Sequence, residues 1–262
     1  MTPKKKYDKV CYGKTFLKEV ILRIDFPAPL PALKKTIPAK VYKAALSRFP
    51  VSESQKVQAQ ELQFSATGIS TNSREEMQWV FNGKEREKTL VIAPQHMVYS
   101  TRDYKSFEEM TEDFFHVLNV LRFVESELVI SRVGLRYVNI IELSDGHPLD
   151  WKGYVDDSLL GMFGFNGRQA NLSRVFHVLE YNFDEINLKC QLGVANPDYP
   201  AVVRRRQFVL DLDASSVSVY ELDDLQKVIS DAHSLVQDFF ETSIGEQTRK
   251  LLKQRKNERK PK

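Results

Sequence analysis

Apolar and polar residues alternate along most of this chain with a period of two, and twice the period lengthens to that of a helix. Residues two apart on a strand point the same way, whereas a helix repeats its apolar stripe every third or fourth position. On that basis 16–26 predicts a strand. Pro27, Pro29, Pro31 and Pro38 then exclude regular structure, because proline lacks a donor and fixes φ. A short helix over 39–47 ends at Pro50. Alternation over 55–70, with Val57, Leu62, Phe64 and Ile69 as core, predicts a strand, and 77–81 predicts another. Asn82-Gly83 reads as a two-residue hairpin turn, since both central positions of such a turn need positive φ. Strands over 90–92 and 97–101 complete an antiparallel set. The first long helix covers 106–124. Ser106 and Glu109 form a capping box, and Phe107, Met110, Phe114, Val117, Leu118 and Leu121 share one side.

The second half repeats that order. A strand over 129–143 leads into a Gly/Asp-rich insertion, 144–171. Residues 172–182 and 185–194 predict a hairpin, and 202–213 a further strand. The final helix, 221–242, carries Asp223 and Asp224 in its first turn, where the helix dipole favours acids. Leu222, Leu225, Ile229, Ala232, Val236 and Phe239 form its stripe. Several strands then a helix, twice over, predicts an α+β fold: mainly antiparallel sheet in two sheet-plus-long-helix units. These span 16–125 and 126–248, between a basic flexible N-terminus (1–15) and a basic C-terminal tail (249–262). The repetition is of element order, not of residues.

Composition narrows the class. No stretch approaches the roughly 18 to 20 apolar residues of a membrane span, and the basic start, 1–9, leads into no apolar region of a secretory signal. Cys11 and Cys190 match no metal or redox spacing and read as reduced thiols, so the expected location is cytoplasmic. The net charge of +3 is unevenly spread. Residues 249–262 hold eight Lys or Arg against Glu258 alone, leaving the body mildly acidic. Such a block is a solvated end or a frayed helix extension, or else an electrostatic contact for nucleic acid or an acidic partner.

One strand stands out as a candidate site. In 132–141, Val133, Leu135, Tyr137 and Ile141 share an apolar face, while Arg132, Gly134 and Arg136 share the other, a cationic patch around a bare backbone. A second alternating segment turns Phe208, Leu210 and Leu212 one way and Asp211 and Asp213 the other, just after the basic run Arg204, Arg205 and Arg206. Three readings stay open: cross-strand ion pairs, an anion or phosphate pocket, or carboxylates serving a metal or acid–base chemistry. His177 reads as a sheet residue and His233 as a half-buried helix residue. Nucleophile-elbow, phosphate-loop, zinc-helix and dinucleotide motifs are absent. No catalytic residue, metal ligand or cofactor is therefore expected. The segment 161–167 reads as a mobile aromatic loop, with Met162, Phe163 and Phe165 filling a partner's groove or folding back over the sheet.

The opening strand 16–22, the central Arg132-x-Gly134-Leu135-Arg136-Tyr137-x-Asn139, and a closing helix with His233, Phe240, Ile244 and Arg249 carry a resemblance. With these marks the chain resembles a sporadically distributed bacterial family of uncharacterised proteins of about 250 residues, over 16–252. The resemblance implies no activity, and its patchy distribution is like that of mobile or defence-associated genes. The leading expectation is a non-catalytic cytoplasmic interaction or regulatory protein whose partner is another protein. The alternatives are a nucleic-acid-associated factor using the Arg-rich strands and tail, and an enzyme or binder of a small anionic ligand.

Overall fold

The computed structural model of the chain describes residues 11–65 and 68–255, with side chains at 12–55 and 77–253. The described elements are β1 (Cys11–Tyr12), β2 (Leu17–Asp25), α1 (Ala39–Arg48), β3 (Val51–Ser65), β4 (Gly68–Asn82), β5 (Lys88–Ile92), β6 (His96–Thr101), α2 (Phe107–Arg122), β7 (Ile130–Leu143), β8 (Val175–Phe183), β9 (Ile186–Val194), β10 (Arg206–Tyr220), α3 (Leu222–Ser243), α4 (Glu246–Leu252) and β11 (Gln254–Arg255). Nine strands hydrogen-bond in the order β3-β4-β5-β6-β2-β7-β10-β9-β8, and β1 pairs with β11. The pairs β3–β4, β4–β5, β5–β6, β8–β9 and β9–β10 run antiparallel. The fold is α+β with a large antiparallel sheet. Two compact units divide the chain, 1–20, 134–216 and 227–262 in one and 21–133 and 217–226 in the other. This partition is interleaved, unlike the sequential one at 125/126, because β2, β7, β10 and α3 each contribute residues to both.

In the unit centred on 21–133, the Ser106 half of the expected capping box forms. Ser106 Oγ accepts from Glu109 N at 3.1 Å, and Glu108 and Glu109 occupy the first turn of α2. Met110, Phe114, Val117, Leu118 and Leu121 are buried on its apolar side. Asp113 is buried among them, and Lys88 Nζ (2.5 Å) and Arg48 Nη1 (3.6 Å) neutralise it. A buried carboxylate is tolerated only with such partners.

Two expectations change here. The strand predicted over 55–70 is two strands, paired from Val51↔Asn82 to Ser65↔Gly68. Phe64 and Ile69 are five apart and so have opposite parity, and the reversal falls between them, where they pair with each other across the hairpin. Asn82-Gly83 is no two-residue turn. Asn82 is buried at the end of β4, its Oδ1 accepting from Thr89 Oγ1 at 2.8 Å. The connection runs on to Lys88, whose carbonyl accepts from Gly83 N at 2.8 Å, and its left-handed residue is Arg86 (φ 56°). A Cβ at Gly83 would meet only the carboxylate end of Glu87, a flexible group that can move aside.

In the other unit, Leu135, Tyr137 and Ile141 of β7, Phe208, Leu210, Leu212 and Ala214 of β10, and Leu188, Cys190 and Leu192 of β9 form one buried face. Helix α3 lies against it. Tyr137 Oη and His233 Nδ1 are 3.0 Å apart, and the Phe239 ring meets Tyr181 and Phe183 at centroid distances of 5.0 and 5.9 Å. The tail begins later than charge alone suggests. Residues 246–252 form α4, with Thr248 and Leu252 buried, and β11 follows. The last seven residues of the basic run, 256–262, lie outside the described residues, as do 1–10.

Candidate functional site

Strand β7 alternates as its sequence dictates, and the central expectation is met at Arg136. Its Nε and Nη2 donate to Asp211 Oδ1 and Oδ2 at 2.8 and 2.6 Å. This is a two-pronged, charge-assisted contact, the strong form of an arginine–carboxylate pair. Asp211 is buried, while 41% of the Arg136 side chain is exposed. The Arg136 guanidinium is held above its ordinary range, first by the hydrogen bond to Asp211, against burial, and then by the charges of Asp211, Asp213 and Glu19. One cation among three carboxylates is not an anion trap. Gly134 is buried, so it offers no bare backbone to a ligand.

Arg132 pairs instead with Asp25, Nη1 to Oδ2 at 3.2 Å. Asp25 also accepts from Arg23, Nε at 2.9 Å and Nη2 at 2.6 Å, so one carboxylate serves two guanidinium groups. Asp213 faces Lys189 across β10–β9. Arg205 and Arg206 of the basic run are likewise engaged. Arg205 Nε donates to Asp198 Oδ2 at 3.0 Å. Arg206, only 9% exposed, donates to Asp150 O through Nε at 3.0 Å and to Asp145 O through Nη1 at 2.5 Å. Its guanidinium carbon stands 4.8 Å from the Tyr154 ring centre and 5.5 Å from that of Trp151. This arginine closes the 145–154 turn.

The 161–167 segment separates into two roles. Instead of a loose loop, 157–160, 165–167 and 169–171 are short 3-10 turns. Phe163 is buried and stacks on Phe208 at 6.3 Å, so it belongs to the core. Trp151, also buried, packs on Phe208 at 5.3 Å and donates from Nε1 to Pro148 O at 2.9 Å. Met162 and Phe165 point outward, 54% and 67% exposed. An anchored turn thus presents two large apolar side chains to solvent.

Other polar groups escaped the sequence reading because their partners are distant in the chain. Glu241 is buried on α3, where both its carboxylate oxygens accept from Tyr12 Oη at 2.9 Å, and Arg249 Nη2 stands 3.5 Å from Oε2. Arg249 also caps the end of α3, donating to the carbonyls of Glu241 and, at 2.8 Å, Ile244. Burial raises the Glu241 carboxyl above its ordinary range despite Tyr12 and Arg249, and burial likewise raises the Tyr12 phenol. The three groups tie β1, α3 and α4 together. Burial, then the Asp211 charge, pushes the Cys190 thiol up to about 11, so it stays protonated at neutral pH and is no nucleophile. Among the described residues no group of three or more His, Cys, Asp or Glu is arranged for a metal. No helix among them is long and apolar enough to cross a membrane.

A surface groove of about 590 Å³ runs beside α2 and the first turns of α3, with Phe107, Phe115 and Leu222 in its lining and Glu108, Glu112 and Asp223 around them. It gathers no acid–base pair or nucleophile. Comparison of the chain with protein families and with curated proteins finds no match.

Proposed function

We propose that the protein is a non-catalytic interaction or regulatory subunit that presents the Met162–Phe165 turn to another protein. One observation carries this reading: two large apolar side chains are exposed on a turn whose intervening residue, Phe163, is fixed in the core against Phe208. Exposed apolar groups on a braced turn lose little conformational freedom on docking, which favours binding. The charged groups support it from the other side. Arg132, Arg136, Arg205 and Arg206 are each engaged by carboxylates or carbonyls of their own chain. A cytoplasmic location, membership of the sporadic bacterial family, and a place in a defence-associated or mobile-element system complete the reading.

The test is a pull-down from the native host with tagged wild type and with the Met162→Ser/Phe165→Ser variant. A partner captured by wild type and lost by the variant, at an unchanged melting temperature, is the expected result. Equal capture by both would remove the turn from the interface. Neighbouring genes without any defence or mobile-element character would remove the proposed system.

A further inference from the structure

Strand β8 ends the nine-stranded order, so among the described residues its outer side has no neighbouring strand. Its sequence, Val175-Phe176-His177-Val178-Leu179-Glu180-Tyr181-Asn182-Phe183, contains no proline and no lysine, and one acid. Natural edges are usually blunted by such residues, by bulges or by a covering element, because a bare edge invites another strand. Here 178–182 are all exposed, with Val178 at 55%, Leu179 at 39% and Tyr181 at 39%. The strand is also braced from within. His177 Nε2 lies 3.1 Å from Leu159 O, and Tyr181 and Phe183 pack on Phe239 of α3.

We infer that β8 pairs antiparallel with β8 of a second copy of this chain, about a two-fold axis at Val178. Residues 183 and 186 flank a two-residue turn and pair with each other, and the register then runs to Val175↔Val194. The closing pair of such a turn exchanges its hydrogen bonds, and bonded and non-bonded pairs alternate along an antiparallel ladder. Phe176, Val178, Glu180 and Asn182 therefore turn their N–H and C=O groups outward. A two-fold pairing must match outward groups with outward groups, which permits few registers, and charge selects among them. An axis at Glu180 sets the two glutamates opposite each other, and an axis at Leu179 sets them on a diagonal. An axis at His177 brings Glu180 opposite position 174 but pairs only 175–179 of the strand, against 175–181 for an axis at Val178. An axis at Val178 places Glu180, which also faces Lys189 of its own chain at 3.5 Å, opposite Phe176 and diagonal to the partner copy's position 174. Arg174 is exposed there, while its Nε donates to Ala195 O at 2.9 Å and its guanidinium lies 4.2 Å from the Tyr199 ring centre. On the opposite face His177 then meets Leu179, and Val175 meets Tyr181. The contact is isologous and self-complementary, as closed dimers require. This interface is distinct from the Met162–Phe165 turn and stands or falls independently of it.

The register makes the test specific. Opposed residues of a hydrogen-bonded antiparallel pair have Cα atoms about 5.5 Å apart, within the span of a disulfide. In a Cys11→Ser background, with Cys190 buried, Val178→Cys is expected to give a covalent dimer on mild oxidation. Glu180→Cys is not, because in this register its two copies lie four residues out of step, about 13 Å apart. Light scattering of wild type at about 100 µM should give twice the 30.3 kDa chain mass, and Val178→Lys should return it to one chain at an unchanged melting temperature. Wild type at single-chain mass overturns the inference, as does a dimer that survives Val178→Lys or that cross-links through Glu180→Cys as readily as through Val178→Cys. Should Val178→Lys not fold, the cross-linking pair decides alone.

Discussion

Replacing Arg136 by methionine leaves Asp211 in place without its two donors. The side chain of Asp211 is 8% exposed and that of Arg136 41%, so the pair lies between two known limits. Breaking a fully buried pair costs about 3 to 5 kcal/mol, because the remaining charge has no partner. An exposed pair contributes about 0 to 1 kcal/mol. The buried partner is the one left behind, yet water reaches it through the space that Arg136 vacates, which places the cost of Arg136→Met at about 2 kcal/mol. Asp211→Asn inverts the situation. It removes the buried charge, keeps one acceptor for the guanidinium and leaves Arg136 access to water, so about 1 kcal/mol is expected. The order of the two single variants is thus a sharper expectation than either value. Urea unfolding read by the buried Trp151 measures both, in a Trp79→Phe background so that emission comes only from the unit holding Arg136. The midpoint shifts at constant slope give the energies. The double variant should show a coupling of about 1 kcal/mol. An Arg136→Met cost below about 0.5 kcal/mol, or a larger cost for Asp211→Asn, refutes the structural role. If inorganic phosphate then stabilises wild type but not Arg136→Met, the anion-pocket reading takes its place.

Phe163→Ser should cost about 3 kcal/mol, since it empties a buried site stacked on Phe208, whereas Phe165→Ser should stay within about 0.5 kcal/mol; paired thermal melts compare them. Leu252→Ala should cost about 2 to 3 kcal/mol by chemical denaturation, because Leu252 is buried at the end of α4; no loss would detach α4 from the fold. Because Glu241 is raised in the folded state, the folded chain holds its proton at pH values where the unfolded chain has released it. Stability from this group is therefore fully present below the ordinary carboxylate range near 4.5 and declines as pH rises above it. Glu241→Gln should flatten that decline in a series of urea curves, and an unchanged pH profile would contradict it.

Much of this architecture is legible in the chain because its causes are local. The period of β7 separates Val133, Leu135, Tyr137 and Ile141 from Arg132 and Arg136 whatever surrounds it, and the Ser106–Glu109 cap acts within one helical turn. The pairing of Arg136 with Asp211 was legible as well, since alternation on both strands presents opposite charges. What sequence could not decide was everything that depends on which elements become neighbours. Nothing local distinguishes Phe163 from Phe165, yet one lies on Phe208 and the other in solvent. Arg132 looks equivalent to Arg136, but β2 places Asp25 beside it. Tyr12, Glu241 and Arg249 meet across more than two hundred residues. The hairpin of β8 and β9 could be expected from alternation, whereas the position of β8 at the sheet edge could not. Period and capping are set by the backbone within a few residues. Burial, ion-pair partners and edges are set by long-range strand order, which emerges only when the whole chain competes for the same core.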